Sequence, residues 1–195
     1  MNRSDVRELH YIAPIANVPS IVEYGILSNS SAARVHHQSV AMAEVQDRRR
    51  PKLIPGGRFL HEYVNLYFDA HNPMLSKCRS QNDAICVLRV SDTVLDAPNA
   101  IVTDRNAASG YARFYPVRNG IAVLDKTMVY AQYWTHPDVY EAMTRKSAKC
   151  AEALVPERVE ADLIVGAYVA NVRALGAFEA LSLRLPVAIK RDMFF

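Results

Sequence analysis

The chain has 195 residues, half of them apolar and 22% charged, which is enough for a globular domain with a sizeable core and excludes a disordered or collagen-like chain. Twenty-three Lys and Arg against twenty Asp and Glu leave a net charge of +3, which by itself does not argue for a polyanionic partner. The three cysteines, Cys78, Cys86 and Cys150, are an odd number without CxxC spacing, so neither a disulfide framework nor a zinc cluster is indicated and a reducing cytoplasm is the expected setting.

Charges at Arg3, Asp5, Arg7 and Glu8 interrupt the N-terminus, and the most apolar stretch, residues 163–172, is too short to span a bilayer, so no export or membrane anchoring is expected. Residues 9–12 read as a short strand. After Pro14, residues 17–24 read as a helix with Ile15, Val18, Ile21 and Val22 on one face and Gly25 as its stop. Residues 28–57 have weak periodicity and many small polar residues. Their end carries Asp47-Arg48-Arg49-Arg50-Pro51-Lys52, as expected of a long functional loop or a helix beside one.

Residues 63–68 alternate and are aromatic-rich, predicting a strand, with Asn72-Pro73 as its turn. Another strand is predicted over residues 84–90. The run Asp104 to Ser109 reads as a turn entering a short helix, and residues 130–149 carry Trp134 and scattered charge on no clean face. Residues 151–156 are apolar around a single carboxylate, Glu152, and strands are predicted again over 163–169 and 187–189. Strands dispersed among short helices without a regular βαβ beat predict an α+β fold in one domain over residues 1–195, with mixed or antiparallel sheets.

Several chemistries lack their motifs. Gly56-Gly57 has no GxGxxG or GxxxxGK around it, none of the six histidines makes a metal-ligand spacing, and Ser109-Gly110 lacks the flanking glycine of a nucleophile elbow. No metal is therefore expected. What remains is a strand histidine, His10, the arginines 48–50, an aromatic strand with Tyr67, and Glu152. Singly, the first three have ordinary structural roles: a hydrogen-bonded strand histidine, a solvated basic face and a sheet aromatic. Glu152 differs, because a carboxylate among apolar neighbours costs free energy if it faces inward unpaired.

In order along the chain, these residues resemble the DarT family of DNA ADP-ribosyltransferases. The resemblance rests on Leu9-His10-Tyr11-Ile12, Asn17-Val18-Pro19-Ser20-Ile21, Gly25-Ile26-Leu27, Val45-Gln46-Asp47-Arg48-Arg49 and Tyr67-Phe68. It continues through Asn72-Pro73-Met74-Leu75, Thr103-Asp104-Arg105-Asn106-Ala107, Ala112-Arg113-Phe114, Ala151-Glu152-Ala153-Leu154-Val155 and the ending Ile189-Lys190-Arg191-Asp192. Two positions depart from it: Ala13 stands where threonine is common, and Pro156 where tyrosine is frequent.

The resemblance implies an ADP-ribosyltransferase-like fold, with two small mixed or antiparallel sheets and short helices around a cleft that takes NAD as co-substrate. It implies Glu152 and Arg49 as catalytic, with His10, Asn17, Arg49 and Tyr67 binding NAD under a loop from about residue 33 to 49. It also implies thymine in single-stranded DNA as acceptor, with guanine the target of a related branch, and a macrodomain antitoxin of the DarG type as partner. Met74, Asn106, Arg145 and Lys146 fall near positions expected to face the DNA. Arg113 and Tyr133 join them as candidates for the basic, aromatic groove that a single strand requires.

The residue types suit the reaction. Breaking the nicotinamide glycosidic bond develops positive charge on the ribose, which a carboxylate stabilises, and thymine N3-H must lose its proton as it attacks. Because that edge is paired in a duplex, a single strand is the expected substrate. Two other readings stay open on the residues alone: the same fold modifying RNA or protein, and a nucleic-acid-binding module without chemistry.

Overall fold

The computed structural model describes residues 1–40 and 42–195. The first half of the chain forms β1 (Glu8–Pro14), α1 (Val18–Tyr24), β2 (Ile26–Leu27), α2 (Asn29–Ala32), α3 (Ala43–Arg49), β3 (Tyr63–Tyr67), α4 (Pro73–Lys77) and β4 (Ile85–Ser91). The second half forms β5 (Ile101–Thr103), β6 (Phe114–Pro116), α5 (Val117–Val123), α6 (Lys126–Val129), α7 (Val139–Ala148), β7 (Glu152–Pro156), β8 (Arg158–Val159), β9 (Ile164–Val169), α8 (Val172–Glu179) and β10 (Val187–Ile189).

Eight strands make one mixed sheet in the order β10-β9-β4-β1-β3-β7-β5-β6, and β2 pairs with β8 in a separate ribbon. Neighbours in the large sheet are antiparallel except β10 and β9. Its two halves meet at one registered pair, His10 opposite Tyr67, whereas β1 pairs with β4 over seven residues and β3 with β7 over five. The expected pair of small sheets around a cleft is thus realised as two four-stranded halves joined at a point. β1 and β3 part beyond it, and residues of both strands line the opening.

Strand alternation decides what each face carries. Leu9 and Ala13 of β1, Val64 and Leu66 of β3, Cys86, Leu88 and Val90 of β4, and Ala153 and Val155 of β7 enter one buried core. Val18 of α1, Ile121 of α5, and Ala174 and Phe178 of α8 belong to the same core. The opposite face carries His10, Ile12, Tyr67 and Glu152. Ala13 therefore points away from the His10 face, and a threonine there would place its hydroxyl in the core.

Several local expectations change. Val22 is exposed, because residues 15–17 form a 3-10 turn that shifts the apolar stripe before α1 begins at Val18. Asn72 does not make a simple turn: its buried side chain accepts from the Met74 and Leu75 backbone N-H groups and caps α4, with Pro73 in the first turn. No helix follows Asp104. The Asn106 side chain accepts from Ala108 N at 2.8 Å and Ser109 N donates to Asn106 O, closing the segment into consecutive turns before β6. Residues 28–57 hold both alternatives, two short helices and irregular stretches beside them; residue 41 lies outside the described residues.

Gly25 ends α1 at φ +81°, and a Cβ there would lie 2.3 Å from the Val159 carbonyl oxygen of β8. Gly176 sits within α8 with open space where its Cβ would be. Thermal melts are expected to show opposite signs: Gly25→Ala loses more than ~1 kcal/mol and Gly176→Ala gains ~0.5–1 kcal/mol.

Candidate active site

One line of paired residues crosses the sheet on the face opposite the main core. Thr103 of β5 stands opposite Glu152 of β7, Glu152 opposite Tyr67 of β3, Tyr67 opposite His10 of β1, and His10 opposite Arg89 of β4. Directly opposed residues project from the same side of a sheet, so five polar side chains from five strands share one row.

Glu152 is fully buried, and Arg49, in the last turn of α3, meets it with a forked contact. Arg49 Nη1 donates to Glu152 Oε1 and Oε2 at 3.3 Å each, and Nη2 donates to Oε2 at 3.2 Å. The planar guanidinium suits such a contact, which a lysine could not reproduce. Below it, Glu152 N donates to Thr103 Oγ1 at 3.2 Å, and that hydroxyl donates to Arg105 O at 2.6 Å, fixing the start of β7. Arg49 lines the cleft and Glu152 does not, so the cation stands between the carboxylate and the opening.

Two further groups respond to this pair. Burial, followed by the negative charge of Glu152, holds the Tyr67 hydroxyl well above its ordinary pKa, so it stays protonated at the rim of the cleft. Burial and then the Arg49 charge lower the Lys52 ammonium, while Glu152 opposes them; its Nζ donates to Ser109 O.

The cleft measures about 560 Å³, within the ~300–1,000 Å³ of small-molecule sites. Tyr11, Ile12 and Pro14 of β1 form one wall, and Tyr63, Asn65 and Tyr67 of β3 another. Val35, His37, Gln38, Val40 and Met42 with Val45, Gln46 and Arg49 of α3 close it, so the segment 33–49 lies along the cleft as expected, residue 41 being outside the described residues. Asn17 also lines the cleft, but its amide holds that segment: Nδ2 donates to Gln38 O at 2.7 Å and Oδ1 accepts from Gln38 N at 3.0 Å.

The residues expected to face DNA divide. Met74, Asn106 and Lys146 line the cleft beside Arg49 and Tyr67. Arg113 and Tyr133 are exposed and lie outside its lining, as does Arg145, which faces Glu141 one helical turn earlier at 3.6 Å. Among the described residues, no three His, Cys, Asp or Glu side chains gather to hold a metal ion, and no helix is long and apolar enough to cross a membrane.

Glu8, Arg89, Thr103 and Lys52 escaped the sequence reading. Glu8 was within reach of it: two residues before His10 on a strand, it must share His10's face. Arg89 and Thr103 come to the row through strand register, and Lys52 comes near Arg49 and Glu152 just beyond α3, so none of the three carries a local signal.

The fold has solved relatives. Thermus sp. 2.9 DarT in complex with ADP-ribosylated ssDNA superposes with a TM-score of 0.83 at 26% identity, covering 98% of this chain and 97% of that one. Thermosipho africanus DarTG in complex with ADP-ribose superposes with a TM-score of 0.83 at 29% identity, over 97% of this chain and 51% of that one. The architecture is an ADP-ribosyltransferase-like fold. Residues 10–195 match the family model described as ssDNA thymidine ADP-ribosyltransferase, DarT, and the chain belongs to that family. A DNA ADP-ribosyl transferase-DNA ADP-ribosyl glycohydrolase fusion protein of T. africanus is 34% identical over 179 residues, 85% of this chain but 43% of the fusion. A DNA ADP-ribosyl transferase of Thermus sp. is 29% identical over 140 residues, 66% of this chain and 67% of that protein.

Because Glu152 and Arg49 neutralise each other in the interior, Glu152→Ala leaves a buried cation unpaired. Denaturant unfolding is expected to show a loss of ~3–5 kcal/mol, and a smaller loss for Glu152→Gln, whose amide oxygen still accepts from Arg49. A second expectation concerns Glu8. Burial raises its carboxyl, but hydrogen bonds from His10 and Arg89 and their charges outweigh burial and bring it from 4.5 to about 2. Its contribution is therefore complete above about pH 4.5 and is lost as the pH falls toward 2. Denaturation midpoints measured across this range are expected to fall less steeply in Glu8→Gln.

Proposed function

We propose that the protein cleaves the nicotinamide–ribose bond of NAD and transfers ADP-ribose to thymine N3 in single-stranded DNA. The observation that carries this reading is the row of Glu152, Tyr67 and His10 across the parting sheet, with Arg49 facing the cleft from α3. Membership of the DarT family supports it, as do relatives whose structures hold ADP-ribose or ADP-ribosylated DNA.

The cleft fits NAD on three counts. Its volume suffices, the Arg49 fork and the protonated Tyr67 hydroxyl supply donors, and the buried His10 Nδ1 has no partner among the described residues. In this reading His10 holds a ribose and Tyr67 lies against the nicotinamide. Asn17 contributes by holding the covering segment down at Gln38. As the glycosidic bond breaks, nicotinamide leaves with the bonding electrons, and positive charge builds on the ribose where Glu152 stabilises it. Arg49 binds the pyrophosphate or the carboxylate through the same fork, so its movement uncovers Glu152. Thymine N3 bonds to the anomeric carbon and gives up its proton to Glu152, giving ADP-ribosyl-thymine, nicotinamide and one proton in balance.

Met74, Asn106 and Lys146 place an apolar surface, an amide and a cation where the strand enters, while Arg113, Tyr133 and Arg145 serve its outer path. Transfer of a pentosyl group puts the enzyme in the glycosyltransferase class. It acts in the cytoplasm as the toxin of a toxin–antitoxin pair, and a macrodomain antitoxin of the DarG type removes the mark.

Mass spectrometry after incubation with NAD and single-stranded oligonucleotides of varied base content tests this reading. One ADP-ribose is expected on thymine-containing strands and none with Glu152→Gln, with activity falling as salt rises because the phosphate contacts are electrostatic. An adduct on guanine alone would reassign the base, and no adduct on any DNA would move the acceptor to RNA or protein.

A further inference from the structure

We infer that Glu8, held by Arg89, is a positioning residue that fixes the tautomer of His10, so that His10 Nδ1 meets a ribose hydroxyl as a hydrogen-bond acceptor. The ribose part of this inference rests on the proposed NAD site; the tautomer part stands on the protein alone.

Glu8 and His10 are two residues apart on β1 and share a face, and Arg89 stands opposite His10 on β4. His10 Nε2 lies 3.2 Å from Glu8 Oε1, and Arg89 Nε donates to Glu8 Oε2 at 2.8 Å. An ionised carboxylate only accepts hydrogen bonds, so Nε2 carries the proton toward Glu8. A neutral imidazole has a single N-H, which leaves Nδ1 with a lone pair. That atom is buried and has no partner among the described residues. A proton placed there instead would strand a buried N-H. One histidine nitrogen commonly takes its protonation state from the bond the other makes, as in metal sites.

The surrounding residues keep Arg89 in place. Gly166 of β9 is its register partner, and a Cβ there would lie 3.3 Å from Arg89 Nη1 and 3.0 Å from the Pro186 carbonyl oxygen. The missing side chain leaves room for the guanidinium over the Tyr168 ring, 4.9 Å from its centroid, and Lys190 Nζ approaches the same ring at 5.9 Å. The His10 ring lies 6.4 Å from that of Tyr168. Glu8 thus links Arg89, which lies over the Tyr168 ring, to the histidine, while Nδ1 has no partner among the described residues. A ligand hydroxyl can donate to it; a carbonyl or a phosphate oxygen without a proton cannot.

Nitrogen-15 NMR of the histidine rings in the whole, unliganded protein tests the tautomer, with His10 assigned by its loss in His10→Gln. At pH 7.5 the Nε2-H tautomer is expected for His10. In Glu8→Gln, whose amide can turn either its oxygen or its NH₂ to the ring, the Nδ1-H form is expected to appear. NAD affinity by calorimetry is expected to weaken about tenfold in that variant, with kcat changed less than threefold. An Nδ1-H or doubly protonated ring in the wild-type protein would overturn the inference, whether or not Glu8→Gln folds. So would an unchanged tautomer and unchanged NAD affinity in a folded Glu8→Gln. Wild-type protein with the Nε2-H tautomer that fails to bind NAD would overturn the NAD reading, and with it the ribose part alone.

Discussion

Everything at the site depends on where β1 and β3 stop pairing. His10 and Tyr67 are the one registered pair between the two halves of the sheet, and both lie in the row that contains Glu152. Had the two strands stayed zipped along their length, backbone hydrogen bonds would fill the space where the cleft stands. Had they not met at all, His10 would share no row with Glu152. A single pair holds the histidine, tyrosine and glutamate in line while the backbones on one side of it diverge.

The electrostatics follow from that geometry. Glu152 enters the interior on a central strand and needs a counter-ion, which Arg49 supplies from the end of α3. The helix is therefore tied to the sheet by the same arginine that faces the cleft. At the other end of the row, Arg89 donates to Glu8, and Glu8 lies 3.2 Å from His10 Nε2, so that buried polar side chain also meets a partner on its own face. Asn17 completes the enclosure by clamping the backbone at Gln38, so the covering segment is held there as well as at Arg49.

The chain spans 43% of the T. africanus fusion protein to which it is similar. In that relative a DNA ADP-ribosyl transferase and a DNA ADP-ribosyl glycohydrolase share one polypeptide. For a chemistry that marks DNA, such an arrangement keeps the reversing activity beside the modifying one.

The strands around residues 9–12, 63–68, 84–90, 163–169 and 187–189 were legible as short apolar runs, and 63–68 also by its alternation. The stop at Gly25 was legible because its conformation is open to glycine at little cost. The order of motifs around His10, Arg49, Tyr67 and Glu152 was enough to identify the family. Short elements such as β5 and β6 were not legible, since three residues carry no periodicity and are strands only because β7 lies beside them. Asn72-Pro73 served equally for a turn or a helix cap, and the backbone that followed chose the cap. Local sequence determined which segments could be strands or helices and which residue types were present for chemistry. Tertiary structure alone decided that Thr103, Glu152, Tyr67, His10 and Arg89 stand in one row, because register is set by long-range pairing between strands that the chain order does not place side by side.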